Sequence, residues 1–201
     1  MDLSKEILEL ESWLRREKVS PEILIYQDSL LTKIIGNIEM KQEELNSTVT
    51  ETLDKQFENQ IYQLDLDRIK YLVANYLRTR MFKIQNLALT IVYTGEAEML
   101  SSQEMEFLRK FYILKTNHFK KCFLLKIPEE YRKIEDEKYS KTPITKVNWK
   151  KHVIAKALVD VGVCKVHNES DKTVHLLKND IAILPYDSIK DHMLAGRVDF
   201  I

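Results

Sequence analysis

The fold is decided by residues 61–91, which read IYQLDLDRIKYLVANYLRTRMFKIQNLALTI. Apolar side chains recur here every three or four residues, the spacing that places them on one side of an α-helix. The members of this stripe are Ile61, Leu64, Ile69, Leu72, Val73, Tyr76, Leu77, Met81, Ile84, Leu87, Ala88 and Ile91. The pattern predicts one long central helix, and a stripe this wide requires neighbouring elements to cover it.

The sequence before the central helix predicts three shorter helical segments. Ser4 can cap a first helix, and Ser20 followed by Pro21 is a cap residue before proline, which favours a second helix start. Residues 30–45 again show a helical period. Polar residues then weaken that period, so we place a break or bend between residues 46 and 59.

The chain after the central helix contains the clearest helix start. Gly95 is a typical helix terminator, and Ser101 with Glu104 three residues later forms a capping box. We expect the helix that follows to end by Pro128. Its predicted inward residues are Phe107, Leu108, Phe111, Leu114, Phe119 and Cys122.

The last quarter of the chain favours strands. The β-rich runs cover residues 153–159, 161–166, 173–177 and 181–184, and a short helix at 188–194 leads to a closing strand. In this strand the alternation predicts Val198 and Phe200 inward and Arg197 and Asp199 outward. We therefore predict a mainly α protein, with an N-terminal helical bundle followed by a small C-terminal β-rich domain. The predicted divisions are 1–136 for the helical domain, 137–150 for a basic linker and 151–201 for the β-rich domain.

Composition excludes several classes of function. Basic and acidic residues number 31 each, so no overall charge attracts the chain to nucleic acid or to a membrane. The four glycines are isolated and cannot form a phosphate-binding loop. His118 and Cys122 have helical spacing, but two ligands do not make a zinc site. We predict no catalytic residues, no metal and no cofactor, and we interpret the two cysteines as buried thiols of an intracellular protein.

One local basic run leaves two interpretations open. It contains Lys115, Lys120, Lys121 and Lys126. These cations can form a solvated face that complements a helix dipole, or they can contact DNA or an acidic partner.

Two segments of the central helix carry a resemblance to a known family. Residues 64–72 read LDLDRIKYL and residues 76–84 read YLRTRMFKI, which resembles the signature of the GINS replication complex, in particular its Sld-five subunit. Further features agree in order: Trp13 with Glu17-Lys18 and Pro21-Glu22, Leu100-Ser101 with Glu104, and Gly196, Val198, Phe200 and Ile201 at the end. Asp65 and Asp67 depart from the family pattern, in which the longer glutamate is usual.

The resemblance implies a non-catalytic nuclear protein of DNA replication. Family members join three sibling subunits in a heterotetramer that binds the hexameric MCM ring and its activator, and the assembly forms the replicative helicase at the replication fork. It implies only weak or indirect contact with DNA and none with a membrane. Because the chain begins almost directly at its first helix, we expect the N-terminal extension that docks a replisome adaptor in some members to be absent.

The resemblance also suggests which residues lie at subunit interfaces. These are Trp13, Arg68, Tyr71, Tyr76, Arg78, Arg80, Lys83, Val198, Phe200 and Ile201. Tyr76, Arg78 and Arg80 need polar partners if buried, which either a subunit seam or the edge of this chain's own bundle could supply. Two other classes stay open: an unrelated helical scaffold or regulator, and an enzyme with a dispersed site. Co-purification with three siblings would favour the subunit, and a stable active monomer would favour the enzyme.

Overall fold

The computed structural model describes residues 3–47, 53–129, 145–167 and 170–201. Within these residues the α-helices are α1 (Leu3–Val19), α2 (Asp28–Ser47), α3 (Leu53–Thr94), α4 (Ser102–Cys122) and α5 (Tyr186–Leu194). The strands are β1 (His152–Ala157), β2 (Gly162–His167), β3 (Ser170–Leu176), β4 (Ile181–Pro185) and β5 (Val198–Phe200). Short 3-10 helices occupy Glu96–Met99 and Leu124–Lys126. This order confirms the predicted mainly α fold with a C-terminal β-rich part. In the described ranges, no helix has both the length and the apolar character needed to span a bilayer.

The predicted central helix is α3, which is 42 residues long. It ends at Thr94, and Gly95 follows with φ of 74°, a left-handed conformation that glycine adopts without strain. The predicted terminator is therefore confirmed. α2 ends at Ser47 and α3 begins at Leu53, so both ends of the expected break fall within the predicted window. Residues 48–52 themselves lie outside the described residues.

The prediction that a helix starts at Ser20-Pro21 is wrong. Residues 20–27 are not helical, and Ile23 and Leu24 are buried in this stretch. The Tyr26 amide donates to the Met99 carbonyl at 3.1 Å, a bond with a distant segment that a local helix would replace. Burial and long-range hydrogen bonding therefore override the local preference of a cap residue followed by proline.

The capping box of α4 is confirmed. The Glu104 amide donates to Ser101 Oγ at 3.2 Å, and the Ser101 amide donates to Glu104 Oε2 at 3.0 Å. Leu108 is buried as predicted, but Leu114 and Cys122 are exposed, so their inward placement is wrong. Leu114 is rotated by about 120° from Leu108 around the helix axis. Cys122 lies beyond the part of α4 that contacts the apolar cluster.

Internal contacts divide the chain into two compact units. The first contains Met1–Ser20, Gln27–Thr79 and Lys150–Ile201, and the second contains Pro21–Tyr26 and Arg80–Trp149. The core of the second unit consists of Ile23, Ile84, Leu87, Ala88, Ile91 and Leu108, against which Met81, Leu100, Met105, Phe107, Phe111 and Val147 pack. The predicted divisions at residues 136 and 150 stay a prediction, because residues 130–144 lie outside the described residues.

The strands of the first unit form a three-stranded antiparallel sheet in the order β4-β1-β5 and a separate β2-β3 hairpin. Ala155 pairs with Phe200 and Ala157 pairs with Val198, and all four are buried on one face. The prediction that Val198 and Phe200 point inward from a terminal paired strand is confirmed. Cys164 is buried as predicted, and this burial raises the pKa of its thiol.

Candidate subunit interface

The first half of α3 carries an exposed apolar stripe, called the α3 stripe below. Its members are Leu53, Phe57, Ile61, Leu64 and Tyr71, which keep between 44% and 82% of their surface exposed. Their spacing of four, four, three and seven residues averages about 3.6 residues per turn, which keeps these side chains on one side of a straight α-helix. Leu66, Ile69 and Val73 are buried and lie on the opposite side of the helix. α3 therefore has an internal apolar side and an exposed one.

The structure divides the predicted wide stripe of α3 into an exposed part and a buried part. Ile61 and Leu64 belong to that stripe and are 44% and 69% exposed, whereas Ile69 and Val73 belong to it and are buried. Phe57 and Leu53 lie about one and two turns before Ile61 and extend the exposed part towards the start of α3. Both parts repeat with the helical period, so periodicity alone does not separate them.

A groove of about 840 Å³ lies within the first unit between α1, α2 and α3. Its apolar lining includes Ile7, Leu8, Leu45, Leu66, Ile69 and Leu72. Arg68 lines the same groove and occupies the position between Leu64 and Tyr71 on the α3 stripe. The structure therefore brings Arg68 and Tyr71, both predicted interface residues, onto one exposed surface.

Arg80 has polar partners within this chain. Its side chain is fully buried, and Nε and Nη2 donate to the two carboxylate oxygens of Glu104 at 2.8 and 2.9 Å. Nη1 donates to the Leu24 carbonyl at 2.6 Å, and Nη2 also donates to the Met99 carbonyl at 3.1 Å. The guanidinium lies over the Tyr26 ring at 5.3 Å. These are the partners that a buried charge requires, so Arg80 matches the alternative of a satisfied bundle position.

The ten predicted interface residues fall into three groups by their exposure. Exposed residues are Arg68, Tyr71, Arg78 and Ile201. Residues buried within this chain are Tyr76, Arg80, Val198 and Phe200. Half-buried residues are Trp13, which lies under the Arg16 guanidinium at 5.1 Å, and Lys83, whose Nζ donates to the Glu22 carbonyl at 2.7 Å. Their roles at subunit seams stay predictions, and the exposed group is the one available to a partner without rearrangement.

Asp199 forms a polar cluster with α1 that the sequence analysis did not find. Ser12 Oγ donates to the Asp199 carboxylate at 3.1 Å, and Arg15 Nη2 and Arg16 Nε donate to it at 3.1 and 3.0 Å. Burial by itself would raise the pKa of Asp199, but the hydrogen bonds from Arg16, Arg15 and Ser12 outweigh it and lower the pKa. The cluster attaches β5 to α1 within the first unit.

The predicted basic run and the His118–Cys122 pair both lie at the end of α4. Lys120, Lys121 and Lys126 are exposed, whereas Lys115 is half-buried with Nζ over the Phe111 ring at 5.8 Å. Cys122 Sγ lies 3.6 Å from His118 Nε2. In the part of the chain that the structure describes, no three His, Cys, Asp or Glu side chains are grouped to hold a metal ion.

Comparison with known proteins gives a consistent result along the chain. Residues 34–123 match the family model of the GINS complex protein helical bundle domain, and residues 148–201 match that of the DNA replication complex GINS protein SLD5 C-terminus. The DNA replication complex GINS protein SLD5 of Arabidopsis thaliana is 30% identical over an alignment 199 residues long, which covers 93% of this chain and 87% of the relative. The proteins of that name from Dictyostelium discoideum and Schizosaccharomyces pombe are 27% and 25% identical. These two alignments cover 95% and 92% of this chain and 89% and 86% of the relatives.

Both family models and all these relatives define one class, the GINS proteins of DNA replication complexes. Within that class, the chain belongs to the SLD5 family. The resemblance carried by residues 64–72 and 76–84 is thereby confirmed, and both segments lie inside the matched helical bundle domain.

Proposed function

We propose that the chain is a non-catalytic structural subunit of a GINS heterotetramer, and that this tetramer is required to assemble and activate the replicative helicase. The proposal places the chain in the nucleus with three sibling subunits, bound to the MCM ring during initiation and elongation of DNA replication. Its support is the family membership together with the α3 stripe. Arg68 and Tyr71 on that surface belong to residue types that are enriched at protein interfaces.

The α3 stripe carries the proposal because its exposure in a lone chain is unfavourable. Fully burying a large apolar side chain contributes about 1.5–3 kcal/mol relative to leaving it exposed. Five such side chains on one side of a helix give a partner an apolar stripe with the helical period, interrupted by Arg68 between Leu64 and Tyr71. A subunit of a helical assembly would bury this surface against a partner.

The test is assembly of the chain with its three siblings by co-expression, followed by native mass spectrometry and size-exclusion chromatography. Replacing Phe57 and Leu64 by serine removes two stripe side chains that are 64% and 69% exposed. If each substitution reduces the free energy of binding by about 2 kcal/mol, association becomes roughly 30-fold weaker per substitution. Met40→Ser on α2 is the matched control, because Met40 is 66% exposed and lies outside the stripe.

We expect the wild-type chain and the Met40 control to form a four-subunit complex and the Phe57/Leu64 double variant to be recovered without siblings. Circular dichroism of the double variant should match the wild type, since neither side chain packs in the chain's own core. Normal assembly of a folded double variant would show that the stripe is not the interface. Absence of any complex with the wild-type chain would contradict the proposed function itself.

A further inference from the structure

The outer side of α4 combines exposed cations with exposed aliphatic side chains. Residues 107–128 contain Arg109, Lys110, Lys115, Lys120, Lys121 and Lys126 and no aspartate or glutamate. The whole chain has a formal net charge of zero, so this stretch is a local concentration of positive charge. It belongs to the second unit and is separate from the α3 stripe.

The α4 outer face is defined by Arg109, Ile113, Leu114, Asn117, Lys120 and Lys121, which are all exposed. Helical spacing places these residues on the side away from the buried Leu108. Ile113 and Leu114, at the centre, are 57% and 67% exposed. The aliphatic centre is therefore flanked by cations at both ends of the helix face.

The cations of α4 are not all equally available to a partner. Lys110 Nζ lies 2.7 Å from Glu106 Oε1, and this pair lowers the pKa of Glu106 through its hydrogen bond. Within the described part of the chain, Arg109, Lys120 and Lys121 form no ion pair. These three cations are the ones that a partner can engage.

The helix dipole explains only part of this arrangement. Cations in the last turn of a helix interact favourably with its carbonyl end, which accounts for Lys120 and Lys121. It does not account for Arg109 in the first half or for the adjacent aliphatic pair. An apolar centre surrounded by charged residues is the usual anatomy of a protein–protein contact.

We propose that the α4 outer face docks an acidic amphipathic helix of a protein partner. Apolar side chains of that helix cover Ile113 and Leu114, and its carboxylates face Arg109 at one end and Lys120 with Lys121 at the other. The two ends are separated by eleven residues, or about 17 Å along the axis, so the partner presents carboxylates about three helical turns apart. This partner surface goes beyond the proposed assembly function, which rests on α3.

Charge and shape favour this occupant over DNA. A phosphate backbone crossing from Arg109 to Lys120 would lie over Ile113 and Leu114, which offer it no polar contact. Sequence-independent DNA binding relies on cations along the whole track and on aromatic side chains for unpaired bases. The central part of the α4 outer face has neither.

The test uses the full chain and a fluorescent synthetic peptide of about 16 residues, with glutamates about three turns apart flanking two leucines, in an alanine-rich helical background. A scrambled peptide of the same composition and an oligothymidine of about 20 nucleotides are the comparison ligands. Fluorescence anisotropy measures binding at low and at physiological salt. We expect the patterned peptide to bind at least about tenfold more tightly than the scrambled one.

Two variants of the chain test the two parts of the face. The Lys120→Gln, Lys121→Gln double variant should bind the patterned peptide about tenfold or more weakly than the wild type. The Ile113→Ser, Leu114→Ser double variant should also bind it about tenfold or more weakly, and the salt dependence of its binding should change little. Lys33→Gln and Met40→Ser on α2 are controls that should bind as the wild type does. Assembly with the siblings is measured on the same samples, so failure of this proposal is distinguishable from failure of the proposed function. Equal binding of the two peptides, unchanged binding by the Ile113/Leu114 variant, or tighter binding of the oligonucleotide would each overturn the proposal.

Discussion

Replacing Arg80 by methionine tests whether this residue serves the chain's own fold or a subunit seam. The guanidinium is fully buried and donates to both Glu104 oxygens and to the Leu24 and Met99 carbonyls. Methionine matches much of the apolar stem but donates no hydrogen bond. The substitution therefore leaves a buried carboxylate and two carbonyls without these donors, and it does so at the point where residues 21–26 meet α3 and α4.

The expected loss of stability is large. Breaking a buried ion pair by removing one partner costs about 3–5 kcal/mol. In a chain of this length, each kcal/mol corresponds to a shift of about 2–4 °C in the midpoint of thermal unfolding, so the midpoint should fall by about 6–20 °C. Adding Glu104→Gln to the variant removes the uncompensated charge. The double variant should therefore be more stable than the sum of the two single changes predicts, by about 1–3 kcal/mol.

Arg78→Met is the matched control, because Arg78 is exposed two residues earlier on the same helix. Its effect should stay within about 0.5 kcal/mol. Pulse proteolysis across a urea gradient measures both variants at low protein concentration, with the chain fused to a soluble carrier. If Arg80→Met is as stable as Arg78→Met, the intrachain ion pair does not hold the fold. A loss of sibling binding without a loss of stability would then place Arg80 at a seam.

Three further outcomes follow from the structure. Deleting residues 197–201 removes the buried Val198 and Phe200 and should unfold the β-rich part, which limited proteolysis would detect as new cleavage between residues 145 and 190 while α4 stays protected. Asp199→Asn should lower the urea midpoint at pH 7, and the difference from wild type should shrink as pH falls below 3.8. The stabilisation that accompanies a lowered folded-state pKa is complete above the ordinary value and is lost as pH falls through the folded-state pKa. Equal differences at pH 7 and pH 3 would contradict this. The highly purified chain should show no ATP hydrolysis or nuclease activity, and turnover abolished by a point change within it would refute the non-catalytic assignment.

The features that sequence reasoning predicted correctly depend on residues close together in the chain. The capping box of α4 joins Ser101 to Glu104, and Gly95 ends α3 because glycine adopts its left-handed backbone easily. The closing strand follows from alternation over four residues ending at Phe200. In each case the physical cause lies within about one helical turn or one strand, so a local pattern contains the whole signal.

The features that it missed depend on contacts between distant residues. Asp199 was interpreted only as an outward residue, yet its hydrogen-bond partners Arg15 and Arg16 lie more than 180 positions earlier in the chain. The segment after Pro21 has a helix-start sequence, but the Leu24 carbonyl is used by Arg80, which lies 56 positions away. No periodicity in one sequence contains this information. Only the packed arrangement determines which polar groups are satisfied locally and which are satisfied by remote segments.

Because α3 has a buried apolar side and an exposed one, neighbouring substitutions should affect folding and assembly separately. Leu66 is 5% exposed and Leu64 is 69% exposed, although they are two residues apart on one helix. Leu66→Ala should lower the free energy of unfolding by about 2–5 kcal/mol, because shortening a buried side chain leaves a cavity. Leu64→Ala should change stability by no more than about 0.5 kcal/mol and instead weaken association with the siblings. Urea unfolding of the chain alone and native mass spectrometry of the co-expressed complex measure the two effects. If both variants lose stability equally, the side of α3 assigned to partners is part of the chain's own core, and the assembly surface must lie elsewhere.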